Sequence, residues 1–323
     1  MDNKIINKTS DNHCTNCNII GKKNVIGGCA ADNESIEIKE RKSIDFLRSI
    51  ARYQPLFLAY SGGKDSEVLL HLAKKAGIEY TPFYNSTTID RPGTISWVKR
   101  HEDVMILQPK QSFFNIIEHR GLPSTFQRFC CAKLKERFVA THVMTGVRRA
   151  ESKKRTDRYQ EPEMCRVYKT GQKGQIYMPI LYWTNEDLIT YIQQENIQCH
   201  PYYYEPDGTF HPERRLGCLG CPLAYDHGRK DFLRYPVLVR AWCRSLAIYR
   251  NTRPELNKSL QYFNDEYENF YHNLFHHSLK ELQLKREQPN GFNPRQELQD
   301  YFKVSLPPPQ SKLEDIKARL KQH

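Results

Sequence analysis

Leu56-Phe57-Leu58-Ala59-Tyr60-Ser61-Gly62-Gly63-Lys64-Asp65-Ser66-Glu67-Val68-Leu69-Leu70-His71-Leu72 is the stretch from which the rest of the chain is read. It opens with an apolar run that stops at Ser-Gly-Gly, and from Glu67 to Ala76 the residues Val68, Leu69, Leu72 and Ala73 share one helical stripe. The order is strand, tight loop, helix. Two glycines let backbone N–H groups curl around an anion without a Cβ in the way, and a helix N-terminus adds positive potential there. Lys64 supplies a point charge for phosphate, Ser61 and Ser66 supply hydroxyls, and Asp65 is placed to hold Mg2+ or to orient the loop. These roles fit a nucleoside triphosphate. The chain has no G-x-x-x-x-G-K-[ST] and no G-x-G-x-x-G after a strand, which excludes the P-loop and dinucleotide-binding classes.

Outward from this loop, the same alternation recurs. A leading helix is expected over Ile36–Tyr53, ending before Pro55. Glu79–Tyr84 reads as a strand with a helix from about Gly93, Val104–Leu107 as a strand with a helix from about Ser112, and Thr141–Gly146 as a strand. The pattern predicts an α/β fold, a parallel twisted sheet with helices on both faces. Met178–Tyr182 follows, then Thr184 with Asp187 forms a near capping box for a helix to Glu195. Gln198–Pro222 should be irregular, while Asp231–Arg250 and Pro254–Lys285 read as long helices of a helical C-terminal lobe. Pro307, Pro308 and Pro309 form a linker, and Ser311 with Glu314 predicts a capping box for a last basic helix. The expected organisation is a polar, Cys-containing N-terminal extension (1–35), a nucleotide-loop domain (36–230), the helical lobe (231–305), and the linker with its terminal helix (306–323).

With 323 residues, 39% hydrophobic and 27% charged, the chain can bury one large core or two smaller ones. The first residues carry no apolar h-region and no run approaches about 18 apolar residues, so a cytoplasmic protein without a membrane span is expected. Ten cysteines in such a chain read as metal ligands or catalytic thiols rather than a disulfide framework. A net charge of +12 favours anionic partners, nucleotides and nucleic acid among them. The excess concentrates between Arg128 and Arg158, ten Lys/Arg against three Asp/Glu, where Arg148, Arg149 and Arg155 are candidate anion clamps.

Cys130-Cys131 and Cys218-Leu219-Gly220-Cys221 make the second strong feature, because four thiolates brought together ligate a [4Fe-4S] cluster or a Zn2+ ion. Adjacent cysteines strain a mononuclear tetrahedral site, whereas a cluster spreads its ligands over separate irons. The spacing therefore favours iron–sulfur, with zinc and unligated or redox-active thiols as the alternatives. Cys14, Cys17 and Cys29, with His13, suggest a zinc knuckle or an unstructured extension. Cys165, Cys199 and Cys243 read as packing residues. Tyr202-Tyr203-Tyr204, with His200 and His211, line a substrate mouth, stack bases or pack beneath a loop.

The loop Ser61-Gly62-Gly63-Lys64-Asp65-Ser66 resembles the PP-loop of the N-type ATP pyrophosphatases, and its continuation Glu67–Leu72 resembles their ATP sulfurylase and PAPS reductase branch. Further segments are similar to that family in the same order: Arg128–Lys135, Gly146–Ser152, Pro179–Thr184 and Arg215–Pro222. The resemblance covers roughly Leu56–Ala224 and implies a Rossmann-like, adenine nucleotide alpha-hydrolase-like fold. It also implies that Cys130, Cys131, Cys218 and Cys221 hold the cluster, and that Gly146, Arg148, Glu151 and Ser152 lie near the nucleotide, with Lys64, Asp65 and Arg148 in catalytic roles. Two departures point to ATP. Assimilatory reductases of the family use a cysteine in a C-terminal tail, whereas the last cysteine here is Cys243, inside an expected helix; reductases also usually degrade the loop that this chain retains. An intact loop with four cysteines resembles the ATP pyrophosphatase of DNA phosphorothioation systems, and related enzymes thiolate tRNA. The expected activity is therefore ATP pyrophosphatase chemistry that adenylylates an acceptor, with tRNA or DNA as candidate acceptors and a separate protein as sulfur or electron donor. The rival expectation is an adenylyl-sulfate or phosphoadenylyl-sulfate reductase, and a third is a nucleotide-binding regulatory or DNA-associated subunit without turnover.

Overall fold

In the computed structural model, residues 34–138, 140–168, 171–252, 262–275, 278–289 and 291–321 are described. The expected extension, with Cys14, Cys17 and Cys29, lies outside them apart from its last two residues.

Leu56–Ala59 forms β1, burying Leu56 and Leu58, and Lys64–Ala76 forms α2. Before them, Ile36–Ile50 is α1. Thr81–Asn85 is β2, Thr94–Val98 is α3, Met105–Leu107 is β3, and Phe113–Arg120 is α4, capped by the Ser112 hydroxyl on the Asn115 amide. His142–Thr145 is β4 and Lys153–Arg158 is α5. Glu163–Val167 and Lys173–Tyr177 are β5 and β6, and Asn185–Gln194 is α6. The six strands form one sheet in the order β3-β2-β1-β4-β6-β5, flanked by helices.

β2 runs parallel to β3, as the alternation predicts, and β4 runs parallel to β6, a strand the sequence reading does not include, but β5 pairs antiparallel with β6, Cys165 opposite Gln175. The expected all-parallel sheet is thus mixed. The hairpin escapes sequence reading because an edge strand such as β5 is only half buried and carries no apolar alternation. Met178–Tyr182, after β6, is a turn.

The chain divides into two compact units that interleave in sequence. The first holds the described residues up to Phe57, Val68–Tyr80 and Ala140–Ile197. Its interior includes Leu47, Ile50, Trp183, Leu188 and Tyr191, with Ser43 linking Trp183 Nε1 (3.1 Å) to the Pro179 carbonyl (2.9 Å). The Thr184–Asp187 capping box forms as expected, and Asp187 adds an ion pair to Lys39 at 2.6 Å.

The second unit holds Leu58–Glu67, Thr81–Val139 and the described residues from Gln198 on. Its helical part comprises α7 (Arg229–Arg234), α8 (Val237–Thr252), α9 (Glu266–Phe275), α10 (Leu279–Arg286), α11 (Pro294–Phe302) and α12 (Leu313–Leu320). The expected helix over Asp231–Arg250 breaks at Tyr235-Pro236, since a proline lacks the amide that an interior turn needs. The expected helix over Pro254–Lys285 is likewise divided, with Ser278 capping α10 anew. The Ser311–Glu314 capping box does not form. Lys312 takes the cap position without a side-chain bond, because the buried Ser311 hydroxyl donates to Glu266 (2.6 Å) and accepts from Arg250 Nε (2.8 Å).

Candidate active site

The β1–α2 turn carries Ser61–Ser66, and Gly62 sits at φ +73°, a left-handed conformation that a side chain disfavours. The two hydroxyls brace the turn. Ser66 Oγ donates to the Gly63 carbonyl (2.8 Å), accepts the Ser61 amide (3.2 Å) and lies 3.1 Å from Ser61 Oγ. Lys64 opens α2 with its ammonium 3.0 Å from Asp65 Oδ2, and its amide donates to the Tyr203 hydroxyl at 3.3 Å. Beneath the turn, the buried Glu67 carboxylate accepts from the Tyr60 hydroxyl and from Trp97 Nε1 (2.6 Å), with His101 Nε2 3.5 Å away. Burial, reinforced by the Glu67 charge, holds the Tyr60 hydroxyl protonated far above its ordinary range, so it remains a donor. The turn is fixed from below by β1, α2 and α3 together, which leaves little rearrangement for it to undergo on meeting an anion.

The cysteines converge within the second unit. Cys130 precedes a π-helical turn, Cys131–Lys135, which Asn85 Nδ2 holds through the Lys135 carbonyl at 2.9 Å. Arg137 donates to the carbonyls of Ser86 (2.9 Å), Leu134 and Leu107. That ties the cysteine pair to the ends of β2 and β3. Cys218–Cys221 is pinned by the Leu219 amide on the Ile89 carbonyl (2.9 Å) and by the Gly220 amide on Asp231 Oδ2 (3.0 Å), with Asp231 paired to Arg91 at 2.7 Å. Gly220, at φ +65°, has no room for a Cβ, which would stand 2.6 Å from Phe232 Cζ and 2.9 Å from Trp242 Cζ2.

All four thiols line one cavity of about 30 Å3, walled otherwise by apolar side chains such as Ile89, Phe113 and Trp242. Hydrogen bonding from Cys130, and then from Arg128, pushes the Cys131 thiol down, while the same pairing and burial push Cys130 up. Burial also raises Cys218, whose thiol donates to Thr87 Oγ1 at 3.5 Å. Among the described residues no three or more His, Cys, Asp or Glu side chains are arranged to hold a metal ion. Four thiols are a donor set that fits a thiolate-held iron–sulfur group or a Zn2+ ion.

Gly146, Arg148, Glu151 and Ser152 lie in the first unit, on the turn after β4. Arg148, expected as an anion clamp and catalytic residue, is buried and reaches backbone acceptors of the first unit. Its buried guanidinium donates to the carbonyls of Trp183 (3.2 Å) and Thr184 (2.9 Å) and to Asn185 Oδ1 (3.1 Å), so it acts as a strut into the start of α6. Glu151 accepts the Arg148 amide (3.1 Å) and pairs with Arg155, and the Ser152 hydroxyl caps α5 through the Arg155 amide (3.3 Å). The basic run from Arg128 to Arg158 is in part internal scaffolding.

A family model for the phosphoadenosine phosphosulfate reductase domain matches residues 55–224. The chain belongs to that family. This PAPS reductase family member is 29% identical over 212 residues to sulfate adenylyltransferase subunit 2 of Shewanella pealeana, covering 51% of this chain and 66% of that protein. It is 26% identical over 235 residues to an uncharacterized protein of Methanocaldococcus jannaschii, covering 65% of this chain and 53% of the relative. The chain thus spans about half to two thirds of the length of the curated relatives it matches. The solved phosphoadenylyl-sulfate reductase from Candida auris, a phosphate complex, aligns at a TM-score of 0.38 and 16% identity, covering 55% of this chain and 93% of that one. No helix among the described residues is long and apolar enough to cross a membrane.

Tyr60, Glu67, Trp97 and Tyr203, which position the loop, are not evident as site residues in the sequence. Tyr203 belongs to the noted tyrosine run, but only the fold shows that it is the middle tyrosine that is buried against Lys64. Cys199 and Cys243 are buried as expected, and Cys165 lies half buried on β5. Burial pushes the Cys199 thiol up to about 12.

Proposed function

We propose that this chain is an ATP pyrophosphatase that adenylylates an acceptor in sulfur chemistry, with a [4Fe-4S] cluster held by Cys130, Cys131, Cys218 and Cys221. The observation that carries the reading is the braced Ser61–Ser66 turn with Lys64 at the first residue of α2. In this reaction an acceptor oxygen attacks the α-phosphorus of ATP, the bond to the β-phosphate oxygen breaks, and pyrophosphate leaves with the bonding electrons while the acceptor loses its proton. A sulfur nucleophile then displaces AMP from the adenylylated acceptor. Lys64 and the loop amides would offset the charge that collects on the departing pyrophosphate, with Asp65 placed for Mg2+, which shares that role when bound. Thiolate ligation by the four cysteines would give the cluster its place in the cavity, and the cluster supplies redox or structural chemistry when bound. The similarity to sulfate adenylyltransferase subunit 2, an adenylyl-transferring protein by its name, supports the same chemistry.

The reductase reading needs a nucleophilic thiol. Cys243 does not suit that role, because it is wholly buried and burial raises its thiol well above the ordinary range. Anaerobic calorimetry of ATP–Mg2+ against adenylyl sulfate and its 3′-phosphorylated form, on the whole chain and on Lys64→Ala, tests the proposal. Preferred ATP binding that collapses in Lys64→Ala, with pyrophosphate release, is expected. Preference for a sulfated nucleotide, indifferent to Lys64, would overturn it.

A further inference from the structure

A second cavity, of about 670 Å3, lies within the second unit and is walled by Trp97, Tyr202, Tyr204, Glu205, Arg214 and Arg234. Its volume is in the range of small-molecule sites, roughly 300–1,000 Å3. Three guanidiniums face the Tyr202 ring, those of Arg91 at 3.9 Å, Arg214 at 5.8 Å and Arg234 at 5.9 Å. Arg91 is buried and paired with Asp231, and Arg214 bonds the Tyr202 carbonyl (3.1 Å) and pairs with Glu205. Tyr202 is further fixed by its amide on His200 Nδ1 at 3.0 Å. Arg234, by contrast, lies exposed at the rim beside Glu205 and Pro206, which are also exposed.

The wall is mechanically joined to the nucleotide loop. Tyr203, between the two lining tyrosines, accepts the Lys64 amide, and Trp97 lines the cavity while its Cδ1 packs 3.5 Å from where a Gly62 Cβ would stand.

We infer that this cavity receives one nucleotide of a single-stranded nucleic acid, which would be the acceptor in the proposed adenylylation. Aromatic faces stack on any base, and an exposed guanidinium meets the adjoining phosphate. Gln198, also in the wall, accepts from Arg100 at 2.7 Å, which adds a further guanidinium near the cavity. An open, exposed rim lets a strand enter and leave, and the net charge of +12 draws a polyanion toward the site. The inference rests on the adenylylation reading only for the word acceptor; the binding site stands on its own geometry.

The test uses the whole chain, with fluorescence anisotropy of labelled single-stranded RNA and DNA of about 12 nucleotides. AMP, CMP, GMP and UMP serve as competitors, and ATP–Mg2+ calorimetry runs in parallel. Tyr202→Ala should weaken oligonucleotide binding roughly five- to 150-fold, the loss of one stacking partner, while Tyr202→Phe retains it. Arg234→Glu, on an exposed side chain that folding does not need, should weaken binding and lower the salt slope by about one phosphate contact. Affinity for ATP should stay within about twofold in each variant, and saturating ATP–Mg2+ should leave the oligonucleotide bound. Wild-type binding by both Tyr202→Ala and Arg234→Glu would overturn the inference. So would displacement of the oligonucleotide by ATP, or a mononucleotide that binds as tightly as the strand. Oligonucleotide binding with these dependences in a chain that does not bind ATP would sink the adenylylation reading and uphold the site.

Discussion

Gly220→Ala separates two costs that the cysteine turn combines. At φ +65° an alanine Cβ crowds its own backbone, which costs about 1–2 kcal/mol for an L-residue. The same Cβ would stand 2.6 Å from Phe232 Cζ and 2.9 Å from Trp242 Cζ2, and neither ring has space to retreat, because both are buried in the aromatic cluster with Phe270. Overpacking a core adds about 1–3 kcal/mol, so the total loss should be about 2–5 kcal/mol, less the few tenths that alanine recovers by restricting the unfolded chain. Gly208 is the internal control. Its φ is +88° and nothing lies within 4 Å of a Cβ built there, so Gly208→Ala carries the backbone cost alone. Urea unfolding of the whole chain, followed by tryptophan fluorescence to which Trp242 contributes, reads both variants on one scale. A Gly220→Ala chain destabilised no more than Gly208→Ala would refute the claim that Phe232 and Trp242 close over this turn.

Glu266→Ala should cost about 1–3 kcal/mol in the same assay, because it removes the buried carboxylate that accepts the Gln310 and Ser311 amides and the Ser311 hydroxyl, while Asp265 and Glu268 still face Arg250; a loss under about 1 kcal/mol would show that water reaches the network. For Asp187, burial pushes the carboxyl up, but the Lys39 ammonium and the Thr184 amide outweigh it and hold it below the usual range. A depressed carboxyl contributes stability above its unfolded value of about 3.9 and loses it as pH falls through the folded value, so wild type should lose more stability between about pH 5 and pH 2 than Asp187→Asn does. Parallel pH curves for the two chains would contradict this. Arg148→Met should lower stability by about 1–3 kcal/mol through unpaired carbonyls at Trp183 and Thr184, with nucleotide affinity of the folded variant within about twofold of wild type; calorimetry that shows collapsed affinity at unchanged stability would return Arg148 to the nucleotide site.

What the sequence made legible is what local chemistry dictates. The Ser61–Ser66 turn falls between its strand and helix because the apolar run, the glycines and the helical stripe all act within a few residues. Thr184 caps the helix it was expected to cap for the same reason, and the helix expected from about Ser112 begins there. Ser311 shows the limit. Its spacing to Glu314 satisfies the local rule, yet two buried charges from distant segments, Arg250 and Glu266, take its hydroxyl. Arg148 shows the same dependence on distant chain, since the motif around it does not reveal that its guanidinium reaches the Trp183 and Thr184 carbonyls. The β5–β6 hairpin was hidden because half-buried edge strands leave almost no apolar pattern.

The boundary of the family match carries a physical consequence. It ends at residue 224, yet the groups that set the Cys218–Cys221 turn lie beyond it: Asp231 accepts the Gly220 amide, and Phe232 and Trp242 occupy the space that forces a glycine there. Asp231 also neutralises Arg91, whose guanidinium in turn stacks on Tyr202 in the wall of the second cavity. A partly buried carboxylate that serves an amide and a guanidinium at once couples the two features, because moving it for one strips a charge partner from the other. The helices after residue 224 therefore belong to the site as its supports.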